Sequence, residues 1–164
     1  MNPLRYLRPA VYAALTSPAL ELAGIPVPVR AYGIGAEAAY VLLSPDQDTL
    51  SSISSGPRCE QWDCTLLVDV VTLHRNGALS VALADELADL ITERLHHNRF
   101  PLPLGLHLLR AVVEGVNGAS QLDGEQVDIH RYLRLRYTVA YNPPAAPPAP
   151  VPAPTITNFT ATAA

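Results

Sequence analysis

Four acidic residues in one predicted helix are the side chains best placed to do chemistry in this sequence. Positions i, i+4 and i+8 of a helix share one face, so their carboxylates would form a stripe. One interpretation is a divalent-metal site, because carboxylate oxygens are ligands that hard cations prefer. A solvated helix face is the commoner outcome. A third is the wall of a pore, where carboxylates repel the phosphates of passing DNA. The residues are Asp85, Glu86, Asp89 and Glu93.

The other reactive side chains form no catalytic motif. His96 and His97 are adjacent in a predicted helix, so they point about 100° apart and converge poorly on one metal ion. The serines between residues 51 and 55 lack the GxSxG elbow of an activated nucleophile. Cys59 and Cys64 have odd spacing in a predicted strand, which puts them on opposite faces and too far apart for a disulfide. No enzyme class follows from these residues.

The composition indicates one globular domain with an appendage. The chain has 164 residues, of which 49% are hydrophobic, and this is ample for a core. No apolar run approaches the ~18 residues of a membrane span. The first ten residues lack the apolar stretch of a signal peptide, so export by that route is not expected. A net charge of −4 and a pI near 5.6 argue against a dedicated nucleic-acid binder.

The elements that must position these residues begin with a strand predicted from Cys59 to Leu73. Its even positions from Trp62 to Val70 are apolar, whereas its odd positions carry Gln61, Asp63, Thr65 and Asp69. This period of two predicts one face against a core and one half-polar face. A second strand is predicted over residues 129–141, with an aliphatic face and an Arg face that comprises Arg131, Arg134 and Arg136.

Two amphipathic helices accompany these strands. The first is predicted from about residue 2 to residue 16, and Pro9 either kinks it or marks its start. The second is predicted over residues 79–97, with an apolar stripe that includes Leu87 and Ile91. Shorter extended segments are predicted over residues 25–34, 39–43 and 104–113. Residues 45–57 are predicted to be a polar loop with at most a short strand inside it. Residues 114–128 are predicted to be a glycine-rich, acidic connection with an irregular hairpin.

Together these elements predict an α+β domain over residues 1–142. We expect a mostly antiparallel sheet of about four to six strands, with two helices packed on one of its faces. The composition changes abruptly after Asn142, where prolines dominate. Residues 143–164 are therefore predicted to be an extended arm whose proline-rich part is largely polyproline II and reaches roughly 35–40 Å.

The order of these segments resembles a known family. A helix precedes PVPVRAYG and the short strand AYVLL, and a polar loop then leads to CEQWDCTLLVDVVTL. After an Asn-Gly turn come the acidic amphipathic helix, the segment LHLLRAVVEG and the final strand RYLRLRYTVAY. This pattern, over about residues 4–141, is similar to the small tail-completion, or tail-terminator, proteins of long-tailed bacteriophages. It is a pattern of elements and includes no catalytic signature.

The resemblance implies a structural virion protein without enzymatic activity or cofactor, assembled in the host cytoplasm. Proteins of this family form hexameric rings that cap the tail tube and face the head–tail connector. DNA passes through the central channel without specific binding. The broad loop and the long proline-rich extension depart from the family pattern, so a head-closure or connector ring of the neck remains an alternative. A cytosolic α+β metal-dependent enzyme or ligand-binding domain, with Asp85, Asp89 and Glu93 as ligands, is a further alternative.

On the ring interpretation, two sets of residues are candidates for contacts between subunits or with the lumen. Deletion of the arm, or replacement of Asp63 and Asp69 by Ala, would then impair assembly. The first set comprises Asp63, Asp69, Asp85, Glu86, Asp89, Glu93, Arg131, Arg134 and Arg136. The second set marks an arm that crosses to a neighbouring subunit, and it comprises Pro143, Pro148, Pro154, Ile156 and Phe159.

Overall fold

The chain folds into a five-stranded sheet with two helices on one face. The computed structural model describes residues 2–33, 37–56, 59–75, 81–123 and 126–142. In chain order the elements are α1 (Leu4–Thr16), β1 (Leu20–Leu22), β2 (Ile25–Val27), β3 (Val29–Arg30), β4 (Ala39–Gly56), β5 (Cys59–Arg75), α2 (Val81–Leu95), β6 (Leu106–Asp123) and β7 (Gln126–Tyr141).

The main sheet is almost wholly antiparallel, and β5 lies at its centre. Its strand order is β3-β4-β5-β7-β6, and only the pairing of β3 with β4 is parallel. Strands β1 and β2 form a separate antiparallel hairpin. The predicted α+β class, with a mostly antiparallel sheet and two helices, is confirmed. Neither described helix is long and apolar enough to cross a membrane.

The alternation in β5 makes it the centre of the core. The five apolar even positions from Trp62 to Val70 are all buried, as the period of two predicted. From β7, Leu133, Leu135, Tyr137 and Val139 join the same cluster, because direct partners in an antiparallel pair share a face. Burial of these side chains is the main favourable contribution to folding, at about 1.5–3 kcal/mol for each large one.

Both helices lie on this face, and a single arginine links their ends. In α1, Leu7, Val11 and Leu15 are fully buried. From α2, Arg94 donates through Nη1 to the carbonyl oxygens of Leu15 and Pro18, at 3.0 and 2.5 Å. A cation there neutralises carbonyls that the end of α1 leaves without intrahelical partners.

Helix α1 begins before Pro9 and runs through it, so the interpretation that it starts at Pro9 is wrong. The N–H of Leu4 donates to Oδ1 of Asn2 at 3.0 Å, which supports the first turn. Pro9 lacks an N–H for the carbonyl of Arg5, four residues earlier, and the helix forgoes that one hydrogen bond. The buried side chains of the following turns hold the helix in place.

Two segments predicted to be irregular are strands. The segment predicted as a loop over residues 45–57 continues β4 as far as Gly56. The predicted connection over residues 114–128 forms the ends of β6 and β7. Serine- and glycine-rich sequences have low intrinsic strand propensity, but a long neighbour supplies hydrogen-bonding partners. Register shifts between Ser44 and Thr49 and between Val113 and Gly115 mark where the regular pattern fails.

Candidate functional site

The face of the sheet opposite the two helices carries the candidate functional site. We call it the open face, because α1 and α2 both pack on the other side and no described helix lies on it. A concavity on this face encloses about 330 Å³. We call this concavity the open-face groove, and it is lined by Thr49, Ser51, Asp63, Thr65, Leu67, Glu114, Arg134 and Arg136.

A charge network crosses the groove from β5 through β7 to β6. Arg136 donates through Nη2 to Oδ2 of Asp63 at 2.9 Å and through Nη1 to Oε1 of Glu114 at 3.0 Å. The hydroxyl of Thr138 donates to Oδ1 of Asp63 at 2.8 Å. Both oxygens of Asp63 are therefore satisfied, and Arg136 is held between two carboxylates. The network gives the open face a polar centre with fixed geometry.

An irregularity in β6 places Glu114 within reach of Arg136. Val113 lies opposite Leu135 and Gly115 lies opposite Arg134, so Glu114 is an extra residue without a partner in the ladder. The N–H of Val113 donates to Nδ1 of His96 at 3.1 Å, which ties the irregular segment to the end of α2. Bulges of this kind redirect a side chain. Here the redirected carboxylate completes the charge network.

Electrostatics keep Asp63 and Arg136 ionised. Burial raises the pKa of Asp63, but hydrogen bonds from Arg136 and Thr138 and the charges of Arg136 and Arg110 outweigh it. The net effect is a pKa below the usual aspartate value. The hydrogen bond to Asp63, followed by the one to Glu114, raises the pKa of Arg136. Because this network is part-exposed, its contribution to stability is modest and depends on salt.

A second pair, Asp69 with His130, lies deeper at the same face. Only 9% of Asp69 is exposed, and Nδ1 of His130 lies 3.0 Å from its Oδ2. Burial raises the pKa of Asp69 although the hydrogen bond and charge of His130 oppose it. Tyr132 lies opposite Asp69 and stacks on His130 with ring centroids 5.7 Å apart. Asp69 is thus held by contacts within the chain and is less accessible than Asp63.

Arg131 does not share a face with Arg134 and Arg136, which corrects the grouping made from sequence. It lies at an odd position with Leu133 and Leu135, and therefore on the helix-covered face. Its Nε donates to Oδ1 of Asp85 in α2 at 2.5 Å. Arg131 therefore joins the sheet to a helix, while Arg134 and Arg136 lie on the open face.

The acidic stripe of α2 lies on its exposed side. Asp85 pairs with Arg131, whereas Glu86, Asp89 and Glu93 face solvent. Within the part of the chain that the structure describes, no group of three or more His, Cys, Asp or Glu side chains is arranged to hold a metal ion.

The structure therefore divides the predicted site residues. It brings Asp63 and Arg136 into contact, with Arg134 in the same groove, and leaves the exposed α2 acids elsewhere. Sequence reasoning missed Glu114 and Thr138. Thr138 alternates with Arg134 and Arg136 along one strand, so the sequence could have predicted that it shares their face. Nothing in the sequence indicates that Glu114 reaches Arg136. The predicted arm residues Pro143, Pro148, Pro154, Ile156 and Phe159 lie outside the described residues.

The fold of this chain is similar to that of a chain in a known structure. No protein-family model matches the sequence, and no curated protein matches it. Among solved structures, the fold matches a chain of the virion of a native gene transfer agent (GTA) particle. The likeness is one of fold. The TM-score is 0.61 at 20% sequence identity, over 82% of this chain and 96% of the GTA virion chain. The shared fold thus spans nearly the whole of that chain.

Proposed function

We propose that this chain is a structural protein of a phage-like virion, without catalytic activity. It assembles into a ring, hexameric by resemblance to the tail-terminator family, that closes the tail tube and joins it to the head–tail connector. The observation that carries the proposal is the likeness of its fold to a chain of the GTA virion, which covers 96% of that chain. The order of segments in the sequence independently favours the tail-terminator position.

The open sheet supports assembly with other copies. Strand β6 is 18 residues long and pairs with β7 alone within the described ranges. Long edge strands and uncovered sheet faces are surfaces that soluble monomers normally protect. The open-face groove adds fixed charges of both signs, which suit a complementary surface on a neighbour. A heterologous contact of this kind closes into a ring when its rotation permits.

The charges on α2 suit a channel through which DNA passes. Glu86, Asp89 and Glu93 are exposed on one helix, and the whole chain has a net charge of −4. Carboxylates that face a lumen repel phosphates, so DNA slides past without binding. In the proposed ring this side of α2 borders the lumen and the open face contributes to contacts between subunits.

Assembly of the purified chain tests this function. Light scattering after size exclusion, with electron microscopy of the peak, is expected to show closed rings of about six subunits. Incubation with the tail tube protein of the same particle is expected to stop tube elongation and leave a ring at one end. Rings that bind only the connector protein, and leave tube elongation unchanged, would replace the tail position with a head-closure one. A compact monomer that binds neither protein would overturn the proposal.

A further inference from the structure

We infer that the edge of β6 between Gly115 and Gln121 receives the C-terminal segment 155–162 of a second copy as an added strand. The inference rests on the proposed function only in that the ring brings the second copy alongside. It concerns a defined surface, the outward backbone groups of this half of β6. We call residues 115–121 the acceptor edge.

The acceptor edge lacks the features that normally prevent strand addition. Its sequence, GVNGASQ, contains no charge and no proline, and the described side chains of residues 117–121 are exposed. Charged residues, prolines, bulges and short length are the usual protections of an edge strand. At the opposite edge of the sheet, β3 covers only Val41 and Leu42 of β4. The rest of β4 carries Pro45, Asp46 and Asp48 and has two register shifts, which are protections of that kind.

The first half of β6 has irregularities and charges that the acceptor edge lacks, so we expect strand addition only at the second half. It contains register irregularities between Leu108 and Arg110 and between Val113 and Gly115. It also carries the charges of Arg110 and Glu114. Irregularities twist an edge away from a flat template and charges disfavour pairing. Beyond Gly115 the register with β7 runs without a further shift to Asp123. A straight, uncharged ladder of about seven residues therefore remains open.

The last described residue, Asn142, lies at the start of β6, the end of that strand opposite to the acceptor edge. The N–H of Asn142 donates to the carbonyl of Gly105 at 3.0 Å, which holds the chain beside the start of β6. The approach is so close that a Cβ on Gly105 would lie 2.4 Å from the carbonyl oxygen of Asn142. Seven prolines follow between residues 143 and 154. A segment of this composition and length can span roughly 35–40 Å, which is enough to reach a neighbouring copy.

The end of the arm has the chemistry of an added strand. Residues 155–162, TITNFTAT, are uncharged and rich in β-branched residues, with one aromatic side chain at Phe159. These eight residues are enough to cover the seven residues of the acceptor edge. In strand addition the main chain supplies the hydrogen bonds, and alternate side chains supply specificity. Binding thus needs no charge complementarity, which neither segment offers.

Cysteine pairing between two full-length variants tests the inference. Both carry Cys59→Ser, and the buried Cys64 stays in place. One carries Ala119→Cys on the acceptor edge and the other carries Thr157→Cys in the arm. Mixed and mildly oxidised, they are expected to form a disulfide-linked dimer at least tenfold above a control in which Asp89→Cys, on the exposed side of α2, replaces Ala119→Cys. Adding Asn117→Lys to the acceptor variant is expected to reduce the yield, because an edge charge opposes strand addition.

The outcomes separate this inference from the proposed ring. Rings without cross-linking above the Asp89→Cys control would overturn the arm placement and leave the ring intact. A chain that carries both Ala119→Cys and Thr157→Cys, and that forms only an internal disulfide, would also overturn it in favour of the chain's own arm. If no rings form, a peptide of residues 155–164 is added to the full-length protein. Slower amide hydrogen exchange confined to residues 115–121 would support the acceptor edge, and unchanged exchange would overturn it.

Discussion

Arg131 lies against Gly118 on the helix-covered face and holds Asp85 of α2 through a 2.5 Å hydrogen bond. Gly118 in β6 and Arg131 in β7 are direct partners in the antiparallel pair. A Cβ at position 118 would lie 2.5 Å from Nη1 of Arg131 and 3.1 Å from its Cζ. The guanidinium in this position leaves no room for a side chain beneath it. This relationship explains why a glycine is favoured in the middle of this strand, although it costs conformational entropy there.

Gly118→Ala is accordingly expected to displace Arg131 and weaken its bond to Asp85. The loss in free energy of unfolding, measured by urea denaturation, should be about 1 kcal/mol, because only the end of a flexible side chain must move. Gly115→Ala is the matched control: it lies in the same strand, and a Cβ there meets nothing within 4 Å. In an Arg131→Ala background the Gly118→Ala cost should largely disappear. An equal cost in both backgrounds would contradict the steric explanation.

Tyr137→Phe is expected to leave the protein as stable or to raise its free energy of unfolding by about 1 kcal/mol. Only 1% of Tyr137 is exposed, and its hydroxyl finds no hydrogen-bond partner among the residues that the structure describes. A buried polar group without a partner is destabilising, so its removal recovers that cost. The ring remains packed edge-on against Phe100 at 5.8 Å. Tyr12→Phe, at a position 42% exposed, is the control and should change nothing measurable. A clear loss of stability in Tyr137→Phe would show that the hydroxyl is bonded.

Asp69→Asn is expected to gain stability relative to the wild type as pH rises. Burial raises the pKa of Asp69 above its ordinary 3.8, so the folded state holds the proton more tightly than the unfolded state. Its favourable contribution is complete below pH 3.8 and is lost as pH rises through the raised pKa. Urea denaturation of both proteins at pH 3 to 7 should show this divergence. His130→Gln removes the hydrogen bond and charge that lower the pKa of Asp69. In a protein that keeps Asp69, this variant should make the free energy of unfolding depend more steeply on pH.

Asp63→Asn is expected to behave in the opposite sense. The pKa of Asp63 is lowered, so its ionised form stabilises the folded state above the ordinary value of 3.8. That contribution is lost as pH falls through the lowered pKa. The variant should therefore be less stable than the wild type at pH 7, by at most about 1 kcal/mol for a part-exposed pair, and the deficit should vanish in acid. If the variant is less stable than the wild type by the same amount at pH 7 and in acid, the loss comes from packing and not from the charge of Asp63.

Arg134→Glu is expected to impair assembly without unfolding the subunit. Arg134 is exposed on the open face and lines the groove, so reversal of its charge places like charges together at the proposed contact. Light scattering should show a shift from rings to monomers, while the circular dichroism spectrum and the urea midpoint stay unchanged. Glu93→Arg, a charge reversal on the exposed side of α2, is the control and should assemble normally. Rings from both variants would remove the open face from the subunit contact.

The elements that the sequence predicted well are those with a clear hydrophobic period. The alternation in β5 and the aliphatic face of β7 located the core, and the stripe through Leu7, Val11 and Leu15 located α1. Such patterns are local, because burial of one face requires apolar residues at fixed spacing. The parity of β7 also separates Arg131 from Arg134 and Arg136. The grouping of the three arginines overlooked that signal.

The remaining features depend on partners that are distant in the chain. The lengths of β4 and β6 follow from pairing with β5 and β7, since serine- and glycine-rich segments carry no period of their own. Asp69 meets His130 across 61 positions, and Glu114 reaches Arg136 through a bulge that no local pattern marks. The sequence by itself determined the helices, the central strands and their buried faces, because these depend on local periodicity. Tertiary structure alone decided the charge network and the open edge, because both arise where strands far apart in sequence are paired in register.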